Sequence, residues 1–139
     1  MTGPRWPICI LTVLAVSTIG KQSVAFEETP LPLDKKARMA DLVIVGEVAG
    51  LSNRVVGEIR EKFAKVTVTA TLKGQSLGSV SVMYSGPISE LNPNCCEVGR
   101  SYVFFLRNFG TGEYESADGR FGIYPIGSQS MTQSQQEGR

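Results

Sequence analysis

The chain has 139 residues, of which 42% are hydrophobic and 19% charged, a balance typical of one globular domain. Its 14 Lys and Arg residues are balanced by 13 Asp and Glu residues, so there is no basic excess to hold a nucleic-acid backbone. Histidine is absent and there are only three cysteines, which excludes Ser-His-Asp and Cys-His nucleophile systems, histidine zinc sites and four-cysteine zinc sites.

The N-terminal segment is typical of a signal peptide. Arg5 is the one charged side chain ahead of an uncharged, mostly apolar run over 8–19. This run is shorter than the roughly 20 apolar residues that a membrane-spanning helix needs, and it has the length of a signal-peptide apolar region. Ser23 and Ala25 supply small residues at the −3 and −1 positions, which predicts cleavage before Phe26. An uncleaved N-terminal anchor is the alternative.

Cleavage would change both the cysteine content and the charge of the chain. Cys9 would be removed, leaving Cys95 and Cys96 as the cysteines of the mature protein. Arg5 and Lys21 would leave as well, so that 12 basic side chains face 13 acidic ones. We therefore expect a secreted or periplasmic protein that keeps no stable membrane anchor and binds no nucleic acid.

The first elements of the mature chain are predicted to be a short helix and a buried strand. Residues 34–40 place a capping residue, Asp34, before good helix formers. The run over 42–48 begins with four apolar residues, among them Val and Ile, which is typical of a strand covered on both faces. Gly46 interrupts this run and indicates a β-bulge.

Two further strands are predicted from alternation. Over 65–72 every second residue is apolar and the others are Lys or Thr, so one face of the strand is expected to lie against the core. The apolar positions are Val66, Val68, Ala70 and Leu72. Over 79–84 the same pattern recurs, with core-facing positions at Val80, Val82 and Tyr84.

The C-terminal third is predicted to contain short strands followed by a polar tail. Residues 102–106 are apolar and indicate a buried strand. A turn at 108–112 precedes a short polar strand near Tyr114, and 121–126 is the last apolar stretch. The tail over 127–139 has one large apolar residue, a methionine, and is expected to be flexible.

Five short segments, taken in order, carry a resemblance to a known family. They are ADLVIVGEV at 40–48, VTV at 66–68, LKG at 72–74, VSV at 80–82 and VGRSYVFF at 98–105. In order and spacing they resemble the OB-fold domain shared by tissue inhibitors of metalloproteinases, netrin-type modules and small exported bacterial proteins. The resemblance covers about residues 40–107, and 121–126 is a candidate closing strand.

The resemblance implies an all-β fold: a small five-stranded Greek-key OB-like barrel, here with one short N-terminal helix. The loops at the ends of such a barrel are free to bind a partner. The predicted parts of the chain are a signal peptide over 1–25, a lead-in and short helix over 26–39, the OB-like barrel domain over 40–126, and the polar tail over 127–139.

The chain departs from the metalloprotease inhibitors at the residues that carry inhibition. Those inhibitors present Cys-x-Cys at the mature N-terminus and chelate the protease zinc with it, whereas the predicted mature start here is Phe26-Glu27-Glu28. The paired cysteine near the C-terminal end of the superfamily domain is missing as well. No inhibitory residue is carried over, and the resemblance supports the fold more than the function.

Cys95 and Cys96 are adjacent in a predicted loop over 85–99. Neighbouring Cα atoms lie about 3.8 Å apart across a trans peptide, below the usual 4.4–6.8 Å of a disulfide. Three alternatives follow: a vicinal disulfide that stiffens the loop, an intermolecular disulfide in a dimer, or thiols that bind a soft metal or do redox work. Glu97 beside the pair would raise a thiol pKa, so the sequence favours a structural role.

From these patterns we predict a binding module that is not an enzyme and uses no cofactor or metal. The expected partner is a protein, and the expected contact surface is the 85–99 loop. The candidate binding residues are Tyr84, Leu91, Cys95 and Cys96. The alternatives are a protein that resembles metalloprotease inhibitors in function, and a thiol redox or metal-binding protein that uses the cysteine pair. The sequence does not predict the identity of the partner or the oligomeric state.

Overall fold

The computed structural model describes residues 2–4, 29–110 and 112–127. The predicted cleavage site and nearly all of the predicted signal peptide lie outside these residues. The predicted tail also lies outside them, except for Gly127.

The described residues form a mostly β structure with one short α-helix, which confirms the all-β prediction. The elements are α1 (Leu33–Met39), β1 (Leu42–Val56), β2 (Ile59–Lys73), β3 (Ser79–Ser85), β4 (Ser101–Asn108), β5 (Glu113–Ser116) and β6 (Ile123–Pro125). Single turns of 3₁₀ helix lie at Ser89–Leu91 and Gly119–Phe121. The strands predicted over 42–48 and 65–72 are both present, and each extends to 15 residues.

Five of the strands pair in a closed ring. Going round the ring, β1 pairs with β2 and β2 pairs with β3, both in antiparallel orientation. β3 then pairs in parallel with β5. β5 pairs with β4 and β4 pairs with β1, both in antiparallel orientation. The β1–β4 pairing, from Leu42 opposite Leu106 to Glu47 opposite Ser101, closes the ring. The last apolar stretch is therefore not the closing strand, because β6 pairs with β4 on the edge that β4 also presents to β5.

β1 bends sharply at the glycine that interrupts its apolar run. The register between β1 and β2 shifts between Val45 and Gly46, so an irregularity is present where it was predicted, but the extra residue is Thr69 of β2 and not a residue of β1. A Cβ atom at Gly46 would collide with the Val66 side chain and lie 2.9 Å from the Thr67 carbonyl oxygen. The close approach of the two strands therefore requires glycine at this position.

The main core lies inside the ring and is built from alternate residues of the strands. Its buried members are Leu42, Ile44, Val48, Ala64, Val66, Val80, Val82, Cys96, Tyr102, Phe104, Leu106 and Ile123. The prediction of core-facing residues is wrong at Ala70 and Leu72, which are exposed. The reason is topological: β3 pairs with β2 only as far as Thr67, so the end of β2 extends beyond the ring.

A second, smaller cluster lies outside the ring, where α1 covers β1 and β4. It contains Ala40, Val43, Phe105 and Ala117, with Ala37 of the helix packed against them. This cluster explains why 42–45 and 102–106 are apolar on both faces: one face lines the ring and the other lies under the helix. The helix starts one residue earlier than predicted.

The predicted N-cap role of Asp34 is wrong. Pro32 occupies the N-cap position, and no side chain caps the helix. Proline at the start fixes φ near the helical value, and the Asp34 carboxylate accepts a hydrogen bond from Arg38 one turn later at 2.5 Å. Both side chains of this pair are largely exposed, so the pair adds little stability.

Candidate functional site

The connection from β3 to β4 is a long loop with its own internal hydrogen bonds. The Gly86 N–H donates to the side-chain oxygen of Asn92 at 2.9 Å, and the Leu91 N–H donates to the Ile88 carbonyl at 3.1 Å. These bonds fold the first half of the loop into a compact turn around the 3₁₀ helix. The turn projects Ile88 and Leu91 to the surface, where 54% and 44% of their areas are exposed.

A pocket of about 270 Å³ lies between this turn and the strands beside it. β3, β4 and β5 and the second 3₁₀ helix form its other walls. The lining residues are Met83, Gly86, Pro87, Ile88, Leu91, Asn92, Pro93, Arg107, Glu115, Ser116, Ala117 and Gly119. Most of these side chains are apolar, so the pocket offers a hydrophobic surface that is open to solvent.

The two charged side chains of the pocket neutralise each other. Arg107 and Glu115 lie opposite each other on β4 and β5, and the Arg107 Nη2 donates to the Glu115 Oε1 at 2.6 Å, with the Nε bonding the same oxygen at 3.2 Å. The pocket therefore carries no net charge, and its recognition chemistry is apolar contact.

The structure divides the four predicted binding residues into two groups. Leu91 lines the pocket and is exposed. Tyr84 and Cys95 are half-buried and pack against the main core, and Cys96 belongs to that core with 7% of its area exposed. Leu91 is thus the member of the set that lies where a partner can touch it, while the other three hold the loop from below.

The cysteine pair anchors the second half of the loop. The two Sγ atoms lie within bonding distance, and the peptide bond between Cys95 and Cys96 is cis. Just after the pair, the Glu97 N–H donates to the Tyr102 hydroxyl at 3.0 Å, and the Gly99 N–H donates to the Val48 carbonyl at 2.8 Å. The loop is therefore tied to both β1 and β4 at this end.

Sequence reasoning missed the walls of the pocket that come from outside the loop. The alternation over 79–84 predicts that Met83 faces away from the core, and Arg107, Glu115 and Ala117 lie far from the loop along the chain. No local pattern brings these residues together, because the parallel β3–β5 pairing places them beside the loop. The one usable signal was the loop itself, marked by Gly86-Pro87.

A second charged cluster lies on the same face of the sheet as the pocket, since Glu113 is two residues from Glu115 on β5. Arg54 donates hydrogen bonds to Glu113 at 2.6 Å and to Glu61 at 2.8 Å. These two carboxylates, Glu113 most strongly, raise the pKa of Arg54. Its guanidinium also lies 4.6 Å from the centre of the Phe63 ring, so this side chain is held against the sheet by three contacts.

The described residues contain neither a cluster of metal ligands nor a membrane-spanning helix. Within 2–4, 29–110 and 112–127, no three His, Cys, Asp or Glu side chains are grouped closely enough to hold a metal ion. No helix in this part of the chain has the length and apolar character to cross a bilayer.

Comparison with known proteins finds no matching family model and no matching curated protein.

Proposed function

We propose that this protein is an exported, non-enzymatic binding module whose OB-like barrel presents a pocket to a protein partner. The pairing order β1-β2-β3-β5-β4, returning to β1, supports a five-stranded Greek-key barrel of the OB type. The β3–β4 loop lies at one end of that barrel and carries the exposed apolar residues.

The observation that carries the proposal is the apolar pocket beside Ile88 and Leu91. Its volume is about 270 Å³, and it is bordered by the exposed side chains of Ile88 and Leu91. An apolar pocket that is open to solvent in this way suits one or two apolar side chains of another protein, which is how interface anchors bind. The neutral Arg107–Glu115 pair gives such a partner a polar rim without a charge preference.

Within this proposal, the four predicted binding residues have different roles. Leu91 contacts the partner directly, together with Ile88. Tyr84, Cys95 and Cys96 keep the loop in place through their contacts with the core. A rigid loop binds more tightly than a flexible one, because less conformational entropy is lost when the complex forms.

Replacement of Leu91 tests the pocket. The Leu91→Asp variant places a charge in the apolar pocket, and we expect it to lose the partner that the wild-type protein retains from the extracytoplasmic fraction of its host. Val98→Asp is the matched control, since Val98 lies on the same loop with 61% of its area exposed and does not line the pocket. Quantitative mass spectrometry of the retained proteins is the measurement. If L91D retains the same proteins as the wild type, the pocket is not the contact surface.

Export and the state of the cysteines are tested together by the intact mass of the exported protein. Cleavage before Phe26 and a mass about two units below that of the reduced chain would support an exported protein with an intrachain disulfide. A chain that retains its N-terminal segment would contradict export by cleavage. A covalent dimer would support the intermolecular alternative for Cys95 and Cys96.

A thiol redox protein is the second candidate function. It is suggested by the adjacency of the half-buried Cys95 and the buried Cys96 in the sequence. Turnover with a dithiol or disulfide substrate, abolished in Cys95→Ser, would support this candidate. A Cys95→Ser variant that still binds the partner of the wild type would support the binding module. Inhibition of metalloproteases, suggested by the family resemblance, is tested by adding the form that begins at Phe26 to protease assays.

A further inference from the structure

The β1–β2 hairpin continues well beyond the ring. Residues 51–60 are all exposed, and β4 pairs with β1 only from Leu42 to Glu47. Among the strands that the structure describes, none pairs with 51–56 on the side away from β2. The outer half of β1 is thus a free sheet edge.

The geometry of the hairpin turn determines which backbone N–H and C=O groups point outward from this edge. Gly57 has φ +63 and is followed by Glu58, which places a two-residue turn between Val56 and Ile59. In such a hairpin the pair that closes the turn is hydrogen-bonded, and bonded and non-bonded pairs then alternate. The residues whose N–H and C=O groups point away from β2 are therefore Leu51, Asn53 and Val55.

This edge contains no proline and no lysine, two of the residues that most often prevent strand pairing. Natural edges are protected by proline, by lysine or by inward-pointing charges, whereas the sequence from 51 to 56 is Leu-Ser-Asn-Arg-Val-Val. Its one charge, Arg54, is held by Glu61 at 2.7 Å and Glu113 at 2.6 Å. Leu51 and Val55 are 48% and 65% exposed.

We propose that this edge pairs with the same edge of a second copy of the chain, antiparallel and centred on Asn53. In this register Leu51 faces the partner's Val55 on both sides of the two-fold axis, and Asn53 faces the partner's Asn53. The three outward-pointing residues of each copy supply six N–H···O=C bonds, so the two hairpins form one four-stranded sheet.

The self-pairing matches apolar side chains across the axis and sets no like charges opposite each other. Ser52 and Arg54 alternate with the outward-pointing residues, so Arg54 lies opposite the partner's Ser52. The two Arg54 guanidiniums do not face each other, and each is already neutralised within its own chain. No like charges meet across the edge, and this is why we assign the surface to a second copy of the chain.

This interface is independent of the pocket. Its residues lie on the β1–β2 hairpin, and none of them lines the pocket. The experiments can therefore find a dimer whose pocket binds no partner, or a monomer whose pocket does bind one. The two proposals can therefore fail separately.

Sedimentation velocity of the full exported chain over a concentration series tests the dimer. The wild type is expected to dimerise, and Leu51→Glu and Val55→Lys are each expected to raise the dissociation constant by about tenfold, because each buries a charge against an apolar side chain of the partner. The double variant L51E/V55K should restore association, since opposite charges then face each other twice in the proposed register.

Leu72→Lys is the matched control. Leu72 lies on β2 and has the same 65% exposure as Val55, but it is outside the hairpin edge, so this variant should dimerise as the wild type does. A wild-type chain that stays monomeric at the highest concentration reached would overturn the proposal. Dimers that tolerate both single variants, or a double variant weaker than the single ones, would overturn it too.

Discussion

Lys36 shows how one charged residue can be buried when every polar atom around it is used. Only 1% of the residue is exposed. Its Nζ donates to the Phe121 carbonyl at 2.6 Å and to the Tyr124 hydroxyl, and it lies 3.2 Å from the Asp118 carboxylate. An ammonium group removed from water needs such partners, since each unpaired ion costs several kcal/mol. These contacts attach α1 to the segment between β5 and β6.

Replacement of Lys36 by Met should therefore destabilise the protein. Met keeps the length of the stem but leaves the Asp118 carboxylate, which is 12% exposed, without its cation. We expect the free energy of unfolding to fall by about 3 kcal/mol in a denaturant titration.

Two further variants show whether the loss of stability comes from breaking the ion pair or from removing a lysine in general. The exposed neighbour Lys35→Met should change stability by less than about 0.5 kcal/mol. Adding Asp118→Asn to K36M should recover part of the loss, because the uncompensated charge is then gone. A K36M protein as stable as the wild type would contradict a structural role for this contact.

The two glycines of β1 have different structural roles. Gly46 lies where β1 and β2 approach most closely, and a Cβ there would meet Val66 and the Thr67 carbonyl. Gly50 follows a second register shift, after Val48, but a Cβ at Gly50 would meet nothing within 4 Å. The two residues are four positions apart in one strand, so they form a natural pair of variants.

Gly46→Ala is expected to lower the free energy of unfolding by about 3 kcal/mol, because the strands must separate to admit the methyl group. Gly50→Ala should leave stability within about 0.5 kcal/mol of the wild type, or raise it slightly, since alanine restricts the unfolded chain. Thermal and denaturant unfolding of both variants provides the measurement. Equal losses for the two would mean that the bulge at Gly46 is not tightly packed.

The sequence predicted elements well where one physical cause dominates. The alternation at Val80 and Val82 follows from a strand with one buried face, and the interruption at Gly46 follows from steric need. It failed at Ala70 and Leu72, because exposure there depends on where β3 stops pairing with β2. The outer halves of β1 and β2 were not predicted, since the side chains over 51–60 are exposed and show no core-facing pattern.

The candidate site was predicted only in part for a similar reason. The loop was visible from Pro87 and Pro93, and Leu91 was a natural choice as an apolar residue within it. The pocket exists because β5 lies parallel to β3 and brings Glu115 and its neighbours beside the loop. A pairing between distant segments leaves no local pattern in the sequence.

At the scale of the whole molecule, the ring closes through strands that are far apart in the chain. β1 and β4 are separated by β2, β3 and the long loop, yet Ile44 lies opposite Phe104 with both side chains fully buried. The same part of β1 is paired on its other side with β2. Opening this region requires breaking two ladders and exposing the core, so it is expected to be the most stable part of the protein.

Hydrogen exchange can test these differences in local stability directly. The amides of Ile44 and Phe104 should exchange slowest, by a factor of about a hundred or more relative to those of Leu51 and Val55 in dilute solution. Raising the protein concentration should slow exchange at Leu51, Asn53 and Val55, whose N–H groups point outward, if the hairpin edges pair. Fast exchange at Ile44 would mean that the ring opens readily at the β1–β4 ladder.

The two arms of the projecting hairpin can change in length without affecting the ring. Its turn at Gly57-Glu58 lies at the end of two arms whose side chains are exposed, whereas the register of the ring is set by pairings nearer the core. Adding or removing two residues from each arm together preserves the alternation of bonded and non-bonded pairs and leaves the ring unchanged. Homologous chains can therefore differ in hairpin length at little cost to folding, and a foreign peptide inserted at this turn would be displayed on an intact scaffold.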